Sequence, residues 1–290
     1  ICRLKSVIKW LSNRLFTVVT RSLLIIFLFS AFALRAQQPN FFSRSEIGIH
    51  AGTMFYIGDL NQFKPFYKSK LAGSLVYRFN VHSRMTLRFN ATYGNVAADD
   101  RDARQALIVN RNLNFTSQIK ELAGGIEFHY MPFQFGNRRY IGTAYMITQL
   151  GFFHMNPETE YNGEIVSLQS LGTEGQSPKG DIKPYSKYQL CIPLGLGVKL
   201  SLGKYCSFNI DIAIRKTFTD YIDDVGSDTY MDAATLLAIN GADAVALSNR
   251  SLDGSFQGRR GNSTNKDWYV YAGGMLTFRL GKGNNCPVIR

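Results

Sequence analysis

The chain has 290 residues, room for one large domain or two of medium size. Its formal net charge is +12, yet no Lys/Arg block carries interleaved aromatics, which argues against a nucleic-acid footprint. A hydrophobic share of 45% does not by itself mark a membrane protein, but a transmembrane barrel, whose strands turn one face to a polar lumen, has this composition, and an aromatic share of 13% would supply its interfacial girdles.

Residues 1–36 hold Arg3, Lys5, Lys9, Arg14, Arg21 and Arg35 with no acid, and overlap the apolar run Leu23–Leu34. Ending at Ala36, this reads as a signal peptide, and the run is too short for a spanning helix. Its six cations leave with no acid, so the net charge of +12 falls to a diffuse +6. Cys2 leaves as well; Cys191, Cys206 and Cys286 remain, an odd number that allows one disulfide. Residues 37–44 are expected as an N-terminal periplasmic segment, 45–281 as a barrel and 282–290 as a C-terminal periplasmic tail.

Alternation of period two then runs down the chain. From Ser45 to Ile57, Ile47, Ile49, Ala51, Thr53, Phe55 and Ile57 oppose Glu46, Gly48, His50, Gly52, Met54 and Tyr56. Strands follow at about 70–80, 85–95 and 117–131, placing Arg78, Arg88, Glu121, Glu127 and His129 on inner faces. A fifth, near 139–153, is apolar on both faces and leaves its sidedness open. Residues 154–183, rich in Gly, Pro, Glu and Ser, read as loop. Tyr188–Phe218 is a hairpin about a tight turn at Ser201–Lys204, apolar on one face, with Lys199, Asp211 and Arg215 on the other. Residues 220–265 form the longest insertion, with a short helix expected within Asp232–Ser248. A last strand, about 267–281, turns Tyr269, Tyr271, Met275, Thr277 and Arg279 inward.

The pattern predicts an all-β fold: an eight-stranded antiparallel transmembrane barrel with long extracellular loops and short periplasmic turns. Connections after even-numbered strands are short and those after odd-numbered strands longer, a sorting that an outer-membrane barrel requires and a soluble sandwich or lipocalin-like barrel does not. Glu46, Arg78, Arg88, Glu121, Glu127, Lys199, Asp211, Arg215 and Arg279 should then form ion pairs plugging a narrow lumen. Only His50 and His129 among the histidines face inward, and neither sits in a nucleophile motif. With no HExxH, CxxC or Gly-rich strand-to-helix loop, no metal, cofactor or enzyme activity is expected. Asp220, Asp223, Asp224, Asp228 and Asp232 lack EF-hand spacing and read as a solvated acidic loop rather than a calcium site. Cys206 and Cys286 fall on one periplasmic rim and are candidates for a disulfide, given Cα atoms within roughly 7 Å.

Several stretches resemble a known family: Tyr56-Ile-Gly-Asp-Leu-Asn61, Ile192-Pro-Leu-Gly-Leu-Gly197, Tyr221-Ile-Asp-Asp-Val-Gly-Ser-Asp-Thr-Tyr230, Arg260-Gly-Asn262 with Asp267 and Tyr269, and Cys286-Pro287. In this order they are similar to the PorG-like outer-membrane barrels of the Bacteroidota, a component of the type IX secretion system. The resemblance singles out Tyr56, Gly58, Asp59, Asp223, Asp224, Tyr230, Arg260, Gly261 and Asn262 as motif positions and carries over no catalytic residue. It implies a non-enzymatic barrel in outer-membrane lipid that docks a periplasmic ring lipoprotein and its ring partner, with no nucleic acid involved. The alternative is a lipid-modifying or porin-like barrel.

Overall fold

The computed structural model of the protein describes residues 45–62, 64–136, 139, 141–254 and 258–280. The expected signal peptide, both terminal periplasmic segments and Cys286 lie outside the described residues, and with Cys286 the proposed disulfide.

Nine strands form: β1 Ser45–Ile57, β2 Lys70–His82, β3 Met85–Asp99, β4 Asn114–His129, β5 Gly142–Tyr161, β6 Glu164–Ser167, β7 Tyr188–Ser201, β8 Cys206–Thr217 and β9 Trp268–Leu280. All but β6 pair around a closed antiparallel ring in the order β1, β2, β3, β4, β5, β7, β8, β9 and back to β1. The strand β6 pairs only with the end of β5, forming a hairpin about Asn162 and Gly163.

The ring is built inside out relative to a soluble barrel. Ile49, Leu75, Leu122, Met146, Leu150, Leu196 and Ile210 stand exposed on its outer wall, whereas Glu46, Arg78, Glu127 and Lys199 inside are fully buried. Only a hydrocarbon surround makes that arrangement favourable, and in hydrocarbon only a closed sheet satisfies every strand's backbone. The protein is an outer-membrane β-barrel. The face of β5 that composition left open is resolved by packing: Tyr145, Ile147, Gln149, Phe153 and Met155 point inward, Met146, Leu150 and Phe152 outward.

The two rims differ. At one end the chain turns at Ser83–Arg84, at 202–205 and through 130–141. This last connection is longer than a tight turn, and its Phe133 is buried in the barrel mouth with Lys199 Nζ 4.5 Å from its ring centroid. At the other end lie the long connections 58–69, 100–113, 162–187 and 218–267. Strands β3, β4 and β5 continue past the length a bilayer needs, roughly 9–11 residues, and carry these loops as a folded cap. Of residues 154–183, expected as loop, 154–171 are instead the upper part of β5, the hairpin to β6 and the short helix α2, Leu168–Leu171, and 172–183 are loop; α1 is Ala106–Arg111. Pro157 did not break the strand, and its Ser117 partner keeps its place in the ladder. The expected helix in Asp232–Ser248 is two, α3 Ala233–Asn240 and α4 Ala242–Ser248, broken at Gly241, whose φ of +88° no helix accommodates.

The core follows the same division. Beneath the cap, Met54, Phe115, Ile119, Phe153 and Met155 from the strands pack against Leu60, Ile222, Val225 and Leu247 from the loops. The lower lumen is filled by charge.

Candidate functional site

Two polar clusters lie on the barrel axis. In the lower lumen, Lys199 Nζ meets Glu46 Oε2 at 2.6 Å, Arg78 Nε meets Glu127 Oε2 at 2.9 Å, and Arg88 Nη1 meets Asp211 Oδ2 at 2.9 Å and Glu127 Oε2 at 3.3 Å. Higher up, Arg215 Nε pairs with Glu121 Oε2 at 3.1 Å. Two of these links cross the full diameter of the ring: Arg88 on β3 to Asp211 on β8, and the Tyr269 hydroxyl on β9 donating to Glu121 Oε2 on β4 at 2.7 Å. Arg78 adds hydrogen bonds to Asn209 Oδ1 and Thr277 Oγ1, both 3.2 Å. The lumen is thus tied wall to wall.

Arg279 is the exception among the expected lumen cations. Its register partner is Glu46, but that carboxylate is held by Lys199, with Arg78 Nη1 at 3.9 Å, and Arg279 makes no ion pair among the described residues. Both inward histidines face lumen carboxylates. His50 Nε2 lies 3.5 Å from Asp211, and His129 Nε2 lies 3.2 Å from both Glu127 Oε1 and Thr86 Oγ1. A nucleophile triad needs the hydroxyl and the orienting acid on different ring nitrogens. At His129 both approach Nε2.

The second cluster, in the cap, gathers the motif positions. The Tyr56 hydroxyl at the top of β1 lies 2.6 Å from Asp223 Oδ2 and 2.6 Å from Asp267 Oδ1, and accepts the Asp59 N–H at 2.9 Å. Asp59 in turn accepts the Asn262 N–H at 2.9 Å. Arg260, fully buried, donates to Glu174 Oε1 at 3.0 Å, Thr173 Oγ1 at 2.9 Å, Ser248 O at 2.9 Å and Asp224 O at 3.2 Å. Asp224, in the left-handed region at φ +66°, accepts the hydroxyls of Thr173 at 2.5 Å and Tyr185 at 2.6 Å. Arg111 grips Asp100 with two bonds of 2.7 and 2.8 Å and reaches the carbonyls of Asp59 and Arg260. All four long connections therefore meet in one network.

Glycine is obligatory at two of these positions. A Cβ on Gly58 would stand 2.0 Å from the Tyr56 hydroxyl and 2.2 Å from Asp267 Oδ1; one on Gly261 would stand 2.6 Å from Asp59 Oδ2. Tyr230, the remaining motif position, is half-buried in the 218–267 connection.

The acidic loop is not solvated, contrary to expectation. Asp220, Asp223 and Asp224 are buried, and only Asp228 and Asp232 reach solvent, the latter capping α3 through the Thr235 N–H at 2.9 Å. Burial first, then the charges of Asp267 and Asp59 at Asp223 and of Asp220 and Asp59 at Asp267, push both carboxyls well above the ordinary range. Burial also raises Asp224 to about 6 against the pull of Arg260, and Asp220 to about 6 against Lys266. Their partners come from distant segments: Arg260 for Asp224, Lys266 for Asp220 and Tyr56 for Asp223. Among the described residues no group of three or more His, Cys, Asp or Glu is placed to hold a metal ion. Of the cysteines, Cys191 is buried with Sγ 3.6 Å from the Tyr269 hydroxyl, and Cys206 stands half-buried at the start of β8.

The profile of a family described as a domain of unknown function, DUF6089, matches residues 20–241. No curated protein matches the sequence. Among solved structures, the chain is similar to the attachment invasion locus protein Ail of Yersinia pestis at 10% identity and a TM-score of 0.41, covering 82% of this chain and 99% of that one. It is similar to Neisserial surface protein A at 7% identity and a TM-score of 0.38, covering 82% and 98%. A third is the outer membrane protein OprG from Pseudomonas aeruginosa, at 10% identity and a TM-score of 0.37, covering 83% and 99%.

Proposed function

This chain belongs to the DUF6089 family, and from that premise and its outer-membrane barrel we propose that it is a non-enzymatic docking component of the type IX protein secretion machinery, contacting the periplasmic ring lipoprotein and its ring partner. The observation that carries the reading is the lumen. Ion pairs and hydrogen bonds tie opposite walls together, so solute passage would require breaking buried charge pairs. The surfaces left for partners are the two rims. The cap supports the same reading, since a network joining all four long connections makes a fixed surface rather than a set of loose loops.

The motif residues fit this role better than a catalytic one. Tyr56, Asp59, Asp223, Asp224 and Arg260 spend their polar atoms on one another and on backbone, and His129 places both of its partners on one nitrogen. An enzyme acting on outer-membrane lipid would need a nucleophile and base open to the bilayer or the solvent. The test is recovery of the tagged protein from mildly solubilised membranes of its source. Co-purification of the ring lipoprotein and its partner is the expected outcome; recovery of the barrel alone would overturn the assignment.

A further inference from the structure

Charge is sorted between the two ends of this barrel. Of the 21 acidic residues, Glu46, Glu121, Glu127 and Asp211 line the lumen, and every other one lies in the long connections or the strand ends that carry them. The short-turn end has none exposed. No Asp or Glu occurs in 83–84, 130–141 or 202–205, nor in the flanking sequence 37–44 and 281–290. The acids nearest that end, Glu46 and Glu127, are fully buried and committed to Lys199 and Arg78.

The cations at that end are exposed and share one surface. Arg84, Arg139 and Lys204 reach solvent. Their turns are stitched together by backbone: His129 N–H donates to Arg84 O at 2.8 Å, Phe133 N–H to Ser83 O at 3.4 Å, Gly136 N–H to Ser201 Oγ at 3.0 Å and Arg279 N–H to Tyr205 O at 2.9 Å. Arg279, half-buried beside them, adds positive charge, though its Nε and Nη2 are buried and without a hydrogen-bond partner among the described residues. At the long-loop end acids stand among the cations: Lys68 and Arg101 pair with Asp99, Arg259 with Asp228 and Lys266 with Asp220.

We infer that this plate of short turns is a docking surface for an acidic face of a periplasmic protein, an inference that rests on the docking reading above. Position favours a protein over lipid headgroups. Lipid surrounds the circumference, whereas Phe133 is buried in the barrel mouth over Lys199 and the Lys204 stem lies across Gly136, 2.9 Å from where a Cβ would stand. Complementary charge there would steer a partner to this end and fix its orientation, with a salt dependence that apolar contact lacks.

The test uses the full-length barrel in phosphatidylcholine nanodiscs, with heat-modifiable mobility verifying that each variant is folded. The variants are Arg84→Glu/Arg139→Glu/Lys204→Glu and, as an equal charge change at the other end, Arg104→Glu/Lys179→Glu/Lys183→Glu. Two probes are titrated: the purified ring lipoprotein and poly-L-glutamate. Both should bind wild type and the long-loop variant alike, more weakly at high salt, and should bind the short-turn variant at least about tenfold less tightly. Lipoprotein binding that the short-turn variant leaves unchanged overturns the inference while sparing the docking reading. If the lipoprotein fails to bind wild type, the docking reading falls and poly-L-glutamate decides: loss of its binding in the short-turn variant alone upholds an acid-binding plate, and any other result overturns it. Nanodiscs containing phosphatidylglycerol supply the last arm, in which a change in retained anionic lipid with both probes unaffected would assign the plate to the membrane and overturn the inference.

Discussion

The hydroxyl of Tyr56 carries one proton and faces two carboxylates at 2.6 Å while accepting the Asp59 N–H. It can donate to only one of them, so the other must carry a proton and donate back. Asp223 and Asp267 are raised by burial in the direction this requires. The sign of the pH dependence follows. A carboxyl whose folded pKa exceeds its unfolded value, about 3.9, stabilises fully below that value and loses the contribution as pH climbs toward the folded pKa. The cap should therefore become more open to proteolysis within 218–267 as pH rises from about 5 to about 8. Asp223→Asn should flatten that slope, because an amide nitrogen can donate to Tyr56 while its oxygen still accepts the Val225 N–H seen at 3.0 Å. An unchanged slope in the variant would contradict the shared proton. The motif residues stood out in the sequence, but the burial of Asp223 and Asp224 did not: a run of acids looks solvated until Tyr56, Arg260 and Asp267 arrive from distant segments.

The strands set a different kind of constraint. Alternation made the wall legible residue by residue, since one face had to meet lipid and the other could not. It failed where its premise fails: β5 is apolar on both faces because its upper half lies under the cap, where Phe153 and Met155 pack against loop residues. In the Gly- and Pro-rich run from 154, composition signals turns throughout, yet its first part continues β5, because Thr116 to Gln118 of β4 supply a ready ladder for Asn156 to Glu158. Inside the wall, Glu127 holds both Arg78 and Arg88, so Glu127→Ala leaves buried Arg78 with only the Glu46 carboxylate at 3.9 Å and Arg88 with Asp211 alone. A loss of about 3–5 kcal/mol is expected in reversible urea unfolding in lipid vesicles. Arg279→Ala, at a position whose side chain makes no ion pair among the described residues, should cost far less. Equal losses for the two would remove the distinction between network members and the rim.

For the whole molecule, a plugged lumen and a joined cap leave a rigid cylinder with two differently charged ends. Purified protein in planar bilayers should show no unitary conductance, because Arg88–Asp211 and Tyr269–Glu121 span the ring. Steady channel steps would restore the porin-like alternative. Loop parity was legible because connection lengths are sequence facts, and it put the short turns at one end; the hydrogen bonds that join them into one surface were not legible, because they link residues of different turns. The most direct test of the docking role is export itself. Deleting the protein in its source should stop release of type IX cargo into the medium and leave that cargo in the periplasm, with recovery on complementation by the full chain. Cargo release at the wild-type level in the deletion strain would contradict the account.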